Sequence, residues 1–193
     1  MEWILASASP RRRELLGRLP IPALRVIPAL EPEQAPRNLP PAMLVRTLAA
    51  HKALEVRRRL GTPRADQLIL AADTVVVLDG AVLGKPRDAE DAVRMLRLLS
   101  GRRHEVLTGL CVLRGVDMRC GYERSAVRFR TLSGREISAY VATGEPLDKA
   151  GAYGIQELGA LLVEGIEGDY FNVVGLPLCR LGLMLQELDV MLL

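Results

Sequence analysis

Short apolar runs alternate with stretches of helical period along this chain. The apolar runs predict short strands at residues 3–6 and 24–27. They also predict a strand run over residues 68–72 and 75–78 that turns at Asp79–Gly80 into residues 81–83. Two further β-like stretches, residues 104–113 and 122–130, predict a long hairpin around residues 115–121. The strands are short and separated, which is typical of a sheet layered with helices.

Helical periodicity predicts helices that begin at Ser9–Pro10, near Leu44, and at Asp88, Ser133 and Pro177. Their predicted ends are marked by Gly61, Gly101, Thr143 and the last residue of the chain. Lys52 therefore lies on the second helix. A proline-rich, acidic loop is predicted at residues 28–41. This alternation predicts one α/β domain over residues 1–193, with a mixed central sheet flanked by helices.

Composition narrows the class of protein. With 193 residues and 49% hydrophobic content, the chain can form the core of one domain. A net charge of +3, spread along the sequence, favours a small anionic substrate over a nucleic-acid duplex, and 4% aromatic residues supply few stacking platforms for single strands. No stretch resembles a signal peptide or is long enough to span a bilayer, so no membrane partner is expected.

Cysteine usage points to the compartment. The three cysteines are odd in number and have no Cys-x-x-Cys spacing, so neither a disulfide framework nor a zinc site is predicted. A reducing cytoplasm fits this pattern.

Residues 7–13, Ser-Ala-Ser-Pro-Arg-Arg-Arg, join the first strand to the first helix. Ser9 is suited to the N-cap and Pro10 to the first helical position. Backbone N–H groups, hydroxyls and guanidiniums would meet an anion at the positive end of that helix, as in phosphate sites. An ordinary capped helix with solvated arginines is the alternative.

Lysine is rare in this chain. Only Lys52, Lys85 and Lys149 are lysines among 26 basic residues. A compact ammonium neutralises a phosphate as a point charge where a planar guanidinium does not fit, so these positions are candidates for phosphate contacts. Codon bias would also explain the excess of arginine over lysine, but it does not explain why the three lysines occur at these positions.

Asp73 interrupts an apolar strand. A carboxylate in such a place needs a partner, because burying a charge alone is costly. It is either a structural residue, in a turn cap or a salt bridge, or a metal ligand or general base at the edge of a cleft. Glu33, in the proline-rich loop, is the second candidate ligand, with Glu31 and plain solvation as competing interpretations.

The glycine-rich segment of residues 143–156 predicts a shaped loop. The amide of Gln156 matches the N3–H and O4 edge of uracil or thymine, although a flipped amide would also accept cytosine. A simple turn leading into a strand is the alternative. His104, at the entry to a strand, is interpreted as structural.

Six motifs in order resemble the Maf family of nucleotide pyrophosphatases across nearly the whole chain. They are residues 5–16 (LASASPRRRELL), 71–74 (AADT), 84–86 (GKP), 100–109 (Ser100-Gly101, His104 and Thr108-Gly109), 148–151 (DKAG) and 174–177 (VGLP). The resemblance implies an inosine-triphosphatase-like α/β fold with two lobes and a substrate cleft. It also implies hydrolysis of nucleoside triphosphates to monophosphates and pyrophosphate with a divalent cation, magnesium or alternatively manganese, and frequent homodimers.

Carried onto matching positions, the resemblance implies that Asp73 is the proton acceptor and, with Glu33, a metal ligand. It assigns the triphosphate to Ser7, Ser9, Arg11, Arg12, Lys52 and Lys85. It assigns substrate specificity to Arg11, Thr74 and Gln156, and residues 153–156 (YGIQ) resemble the branch that acts on dTTP and UTP. Residues 30–36 depart from the usual pattern around Glu33. The same reaction on 7-methyl-GTP or ITP, and a non-catalytic regulatory role in cell division, are the alternatives.

Overall fold

A computed structural model describes residues 1–30 and 39–193. In these residues seven strands form one sheet. The strands are β1 (Glu2–Leu5), β2 (Leu24–Val26), β3 (Gln67–Leu78), β4 (Ala81–Leu83), β5 (Arg103–Arg114), β6 (Asp117–Phe129) and β7 (Val163–Glu167). The helices over the same residues are α1 (Pro10–Gly17), α2 (Pro41–Leu60), α3 (Ala89–Leu99), α4 (Gly134–Ala142), α5 (Tyr170–Val174) and α6 (Leu178–Gln186). Three short 3-10 helices lie at Glu145–Asp148, Ala150–Ala152 and Leu158–Leu162.

The sheet is mixed. Its order is β2-β1-β3-β5-β6-β7, with β4 paired to β3. β1 pairs in parallel with β2 and β3, whereas β3–β4 and β6–β7 are antiparallel. The predicted fold class, a mixed central sheet with helices, is therefore confirmed. None of the helices in the described ranges combines the length and the apolar composition that a bilayer crossing requires.

The chain divides into two compact units. The first contains Met1–Asp73, Thr108–Glu123 and Gly175–Leu193, and the second contains Thr74–Leu107 and Arg124–Val174. Each unit has its own hydrophobic core. The assignment of residues 1–193 to a single domain stays a prediction.

In the first unit, α2 packs closely onto the sheet. Its buried residues follow a helical spacing, with Val45, Ala49, Ala53 and Val56 all fully buried. The small side chains among them let the helix approach β1, β3 and β5. The tightest contact is at Gly109 on β5, where a Cβ would lie only 2.1 Å from the Val45 carbonyl oxygen. This contact therefore fixes the position of α2 and of the side chains that α2 carries.

In the second unit, α3 and α4 start where the sequence predicts. Asp88 caps α3 by accepting a hydrogen bond from the backbone of Asp91 at 2.8 Å. Ser133 caps α4 in a capping box: its hydroxyl accepts from the Glu136 backbone N–H at 3.2 Å, and the Glu136 carboxylate accepts from the Ser133 backbone N–H at 2.8 Å. Both helices contribute to a core that includes Phe129.

Several predicted boundaries were wrong. The hairpin turn is only residues 115–116, because β5 extends to Arg114 and β6 begins at Asp117. The apolar run of residues 68–72 and 75–78 is one strand, β3, as predicted. The last helix ends at Gln186 rather than at residue 193, since Asp189 adopts a left-handed φ of 53° that a helix cannot include. β7 and α5 were not predicted.

Candidate active site

The turn between β1 and α1 is organised by two serine hydroxyls. Ser9 is the N-cap of α1, as predicted, and its Oγ lies 3.5 Å from the Arg12 backbone nitrogen that donates to it. The Ser7 Oγ accepts hydrogen bonds from the Ser9 backbone N–H at 3.2 Å and from Arg12 Nη1 at 3.1 Å. The turn therefore holds its hydroxyls and one guanidinium against each other at the positive end of a helix.

Arg12 is held from two directions. Its Nε donates to the Gly175 carbonyl oxygen at 2.8 Å, while Nη1 donates to Ser7. Burial lowers the pKa of Arg12 to about 10, an effect that the Asp73 carboxylate opposes and the Arg11 charge reinforces. At neutral pH Arg12 is still a cation, so the turn presents a fixed positive charge.

Asp73 lies inside β3, between the buried Ala72 and the half-buried Thr74. Its Oδ1 accepts a hydrogen bond from the Lys52 ammonium on α2, and each of the two side chains is 17% exposed. The prediction that this carboxylate needs a partner is confirmed, and the partner is a residue that the sequence had assigned to phosphate. A salt bridge was one of the open alternatives for Asp73, so the catalytic role stays a prediction.

One unit thus brings most of the predicted site residues together. Ser7 contacts Arg12, the Asp73 carboxylate acts electrostatically on Arg12, and Lys52 contacts Asp73. Sequence reasoning named these residues but missed their pairing. The signal was available, because Lys52 lies on α2 beside the small residues Ala49 and Ala53, which bring that helix against the sheet.

The set of possible metal ligands is small. In residues 1–30 and 39–193 no group of three or more His, Cys, Asp or Glu side chains could hold a metal ion. Glu33 lies outside the described residues, as does its competitor Glu31. A single carboxylate such as Asp73 still suits Mg²⁺, which typically binds through one or two carboxylates and substrate phosphates and keeps several waters.

The remaining predicted residues belong to the second unit. Lys85 is exposed in the segment after β4, and Thr74 follows Asp73 on β3. The Gly84 carbonyl beside Lys85 accepts a hydrogen bond from the Gly151 backbone N–H at 3.0 Å. Gln156 is half-buried in a turn that follows the 3-10 helices Glu145–Asp148 and Ala150–Ala152, and its role in base recognition stays a prediction.

Lys149 has a different position from the other two lysines. Its side chain is only 7% exposed, and its ammonium donates to the Glu145 carbonyl oxygen at 2.7 Å and to Asp148 Oδ1 at 3.0 Å. Lys149 is a candidate for phosphate on its residue type alone and is not in the triphosphate set that the resemblance implies; its ammonium makes two hydrogen bonds within the loop.

His104 has the structural position that its sequence context predicts. It is 2% exposed, its Nε2 lies 2.9 Å from the Tyr153 hydroxyl, and its ring meets Phe129 edge-on at 5.0 Å. Burial lowers the pKa of His104 to about 4. A neutral imidazole in an aromatic core is suited to packing.

The described residues define an α/β protein with a cationic strand-to-helix turn next to a lysine–aspartate pair. The model of the family described as Maf-like protein matches residues 2–188, and the chain belongs to that family. The resemblance drawn from the six motifs is thereby confirmed.

Relatives of known name align over most of their length. A dTTP/UTP pyrophosphatase of Moorella thermoacetica is 56% identical over 179 residues, which are 92% of this chain and 90% of that protein. One from Dictyoglomus turgidum is 47% identical and covers 100% of this chain and 98% of its own. Among solved structures, a nucleoside-triphosphatase (dITP/XTP pyrophosphatase) of Mycobacterium abscessus is 16% identical, with a TM-score of 0.45 over 68% of this chain and 76% of that one.

Proposed function

We propose that this protein hydrolyses dTTP and UTP, and modified pyrimidine triphosphates, to the nucleoside monophosphate and pyrophosphate. Relatives up to 56% identical over nearly the full length are named dTTP/UTP pyrophosphatases. The observation that carries the chemistry is the group formed by Lys52, Asp73, Arg12 and Ser7, which places one carboxylate among fixed cations and a hydroxyl. Such a group suits a polyphosphate and a water molecule.

In this mechanism Asp73 is the proton acceptor. Lys52 contacts Oδ1, and we assign Oδ2 of the same carboxylate to the attacking water. The water oxygen forms a bond to the α-phosphorus, the bond from that phosphorus to the bridging oxygen breaks, and pyrophosphate leaves with the bridging oxygen. The proton of the water passes to Asp73. No covalent intermediate on the protein is needed.

The cations act on the charge of the triphosphate. Arg12 is held in place by Ser7 and Gly175, so little reorganisation is needed when an anion binds. We assign Ser7, Ser9, Arg11, Arg12, Lys52 and Lys85 to the phosphates, and Arg11, Thr74 and Gln156 to base selection. A divalent cation, magnesium or manganese, would be held by Asp73 and Glu33 and would neutralise phosphate oxygens.

The compartment, the oligomeric state and the partners of the protein belong to the same proposal. We propose that the protein acts in the cytoplasm as a homodimer on free nucleotides, with no nucleic-acid or membrane partner. The dispersed charge supports action on free nucleotides, and the free state of Cys111, Cys120 and Cys179 fits a reducing compartment.

The test is pyrophosphate release from dTTP, UTP, CTP, ITP and 7-methyl-GTP with magnesium or manganese. We expect dTTP and UTP to be the best substrates, and Asp73→Asn to lower kcat by about 10²–10⁴-fold while nucleotide binding persists. Asp79→Asn is the matched control, because Asp79 is an exposed aspartate just after the same strand and pairs with Arg102. It should leave the rate unchanged.

The other outcomes separate the alternatives. Full activity of Asp73→Asn would reject the mechanism. Activity confined to ITP or 7-methyl-GTP would move the substrate assignment to another base, and inactivity on every nucleotide would favour a regulatory nucleotide-binding protein.

A further inference from the structure

The segment that carries Gln156 is a loop whose two ends touch. A Cβ at Gly159 would lie 2.3 Å from the Gly154 carbonyl oxygen and 2.6 Å from the Tyr140 hydroxyl. Backbone atoms of Gly154 and Gly159 therefore approach more closely than any side chain would permit. Residues 154–159 are here called the glutamine loop, and the close approach of Gly154 and Gly159 is called its neck. Gln156 lies two residues beyond Gly154.

Two side chains hold the neck. The Tyr140 hydroxyl donates to Glu145 Oε1 at 2.7 Å and accepts from the Gly154 backbone N–H at 3.2 Å. Glu145 accepts from the backbone N–H groups of Leu158, through Oε2 at 3.1 Å, and Gly159, through Oε1 at 3.1 Å. One end of the glutamine loop is thus bound to Tyr140 and the other to Glu145. Hydrogen bonds to a carboxylate are stronger than those between neutral groups.

Lys149 contacts both Glu145 and Gly154 and so supports the neck as well. Its ammonium donates to the Glu145 carbonyl oxygen at 2.7 Å, and its Cε would lie 2.5 Å from a Cβ at Gly154. Burial and the bond to Glu145 raise the pKa of Tyr140, so its hydroxyl stays protonated and able to donate at neutral pH. The support therefore consists of a phenol and a carboxylate that bond to the loop, and of a lysine whose methylene stem lies against Gly154 while its ammonium bonds to Glu145.

We propose that Tyr140 and Glu145 are positioning residues that act through Gln156 to select the base, an inference that rests on the proposed function. A side chain that reads a base must be held within about 0.5 Å of its productive place by a supporting shell. Gln156 is the middle one of the three residues between Gly154 and Leu158, whose amides are both bound, so its backbone is fixed from both sides. The ligand concerned is the pyrimidine base of a nucleoside triphosphate.

The test compares Tyr140→Phe and Glu145→Gln with the unaltered protein. For each we measure kcat and KM with dTTP, UTP and CTP, and the inhibition constant of inorganic tripolyphosphate, which has no base. We expect KM for dTTP and UTP to rise about tenfold, the size of one or two lost hydrogen bonds, and the preference over CTP to fall by a similar factor. The inhibition constant of tripolyphosphate should stay within about twofold.

The matched control is Glu136→Gln. Glu136 is a carboxylate on α4 that accepts a backbone hydrogen bond in the same unit, but it bonds to Ser133 and Arg130. It should lose stability through its capping box without a change in base preference. Parallel changes in all nucleotides and in tripolyphosphate, or an unchanged preference in Tyr140→Phe and Glu145→Gln, would overturn the proposal.

A double variant tests whether the effect passes through Gln156. If Tyr140 acts by positioning that amide, Tyr140→Phe combined with Gln156→Ala should select bases no worse than Gln156→Ala alone. Additive losses would mean that Tyr140 acts independently of Gln156 and would overturn the inference.

Amide hydrogen exchange separates this inference from the proposed function. The amide of Gly154 in Tyr140→Phe, and those of Leu158 and Gly159 in Glu145→Gln, should exchange at least about tenfold faster, whatever the protein's activity. Inactivity of the unaltered protein on every nucleotide would reject the proposed function, and base selection with it. Unchanged exchange in an active protein would reject the positioning role alone.

Discussion

Lys52 and Asp73 show how one contact can combine structure and chemistry. Asp73 lies in the middle of a strand whose other residues are largely buried. The Lys52 ammonium stabilises the Asp73 carboxylate in that position. The same contact places a carboxylate near the cationic turn of Arg12. At the scale of single residues, the pair is therefore expected to affect both stability and turnover.

Replacing Lys52 with Met should separate these effects. The variant leaves Asp73 without its ammonium partner, so we expect the free energy of unfolding to fall by about 2–3 kcal/mol and dTTP hydrolysis to fall at least tenfold. Urea denaturation and steady-state kinetics measure the two quantities.

The control is the double variant Lys52→Met with Asp73→Asn. Removing the carboxylate charge should recover part of the stability that Lys52→Met loses, without restoring turnover. Equal stability losses in the single and double variants would show that the loss comes from other contacts of Lys52 and not from an unpaired carboxylate.

At the scale of elements, α2 and β5 pack closely against each other because Gly109 has no side chain. Gly109 allows the β5 backbone to touch the α2 backbone at Val45, and this contact sets the place of the helix that carries Lys52. The sequence motif Thr108–Gly109 contains this glycine, but no pattern of apolar residues indicates why it is needed.

Gly109→Ala should therefore be costly. Its Cβ would lie 2.1 Å from the Val45 carbonyl oxygen, so helix and strand must separate, and we expect a loss of about 3 kcal/mol in the free energy of unfolding together with a lower kcat. Gly165→Ala in β7 is the matched control, since nothing lies within 4 Å of a Cβ there. A loss no larger than that of Gly165→Ala would contradict the proposed contact.

Helix starts could be predicted from the sequence because they depend on local chemistry. Ser9, Asp88 and Ser133 all cap helices by accepting a hydrogen bond from the backbone of the residue three positions further along the chain. β7 could not be predicted, since VEGIE has two glutamates and a glycine, and its pairing with β6 comes from tertiary structure.

At the scale of the whole molecule, alternating strands and helices were enough to predict a mixed α/β sheet. The candidate site was harder, because Arg12, Lys52 and Asp73 are far apart in the chain and meet only through the packing of α1, α2 and β3. The family motifs named these residues, whereas the pairing of Lys52 with Asp73 required the structure. The same is true of the hydrogen bonds from Tyr140 and Glu145 to the glutamine loop.

The pH dependence of global stability should reflect His104. Burial lowers its pKa to about 4 from the ordinary 6.5, so between these values the unfolded chain binds more protons than the folded one. The stabilisation is complete above about pH 6.5 and is lost as the pH falls towards 4, by roughly 3 kcal/mol. Asp91 and Glu136, each with a pKa lowered to about 2, keep their contribution until lower pH.

Urea denaturation between pH 4 and 7 measures this loss. His104→Phe is expected to remove most of the slope of the unfolding free energy against pH in that window, even if the variant is less stable at pH 7 because Tyr153 loses its imidazole partner. Substitution of the exposed His51 by Gln is the matched control and should leave the slope in place. A slope that persists in His104→Phe would assign the acid sensitivity to other groups, because a phenylalanine ring cannot take up a proton.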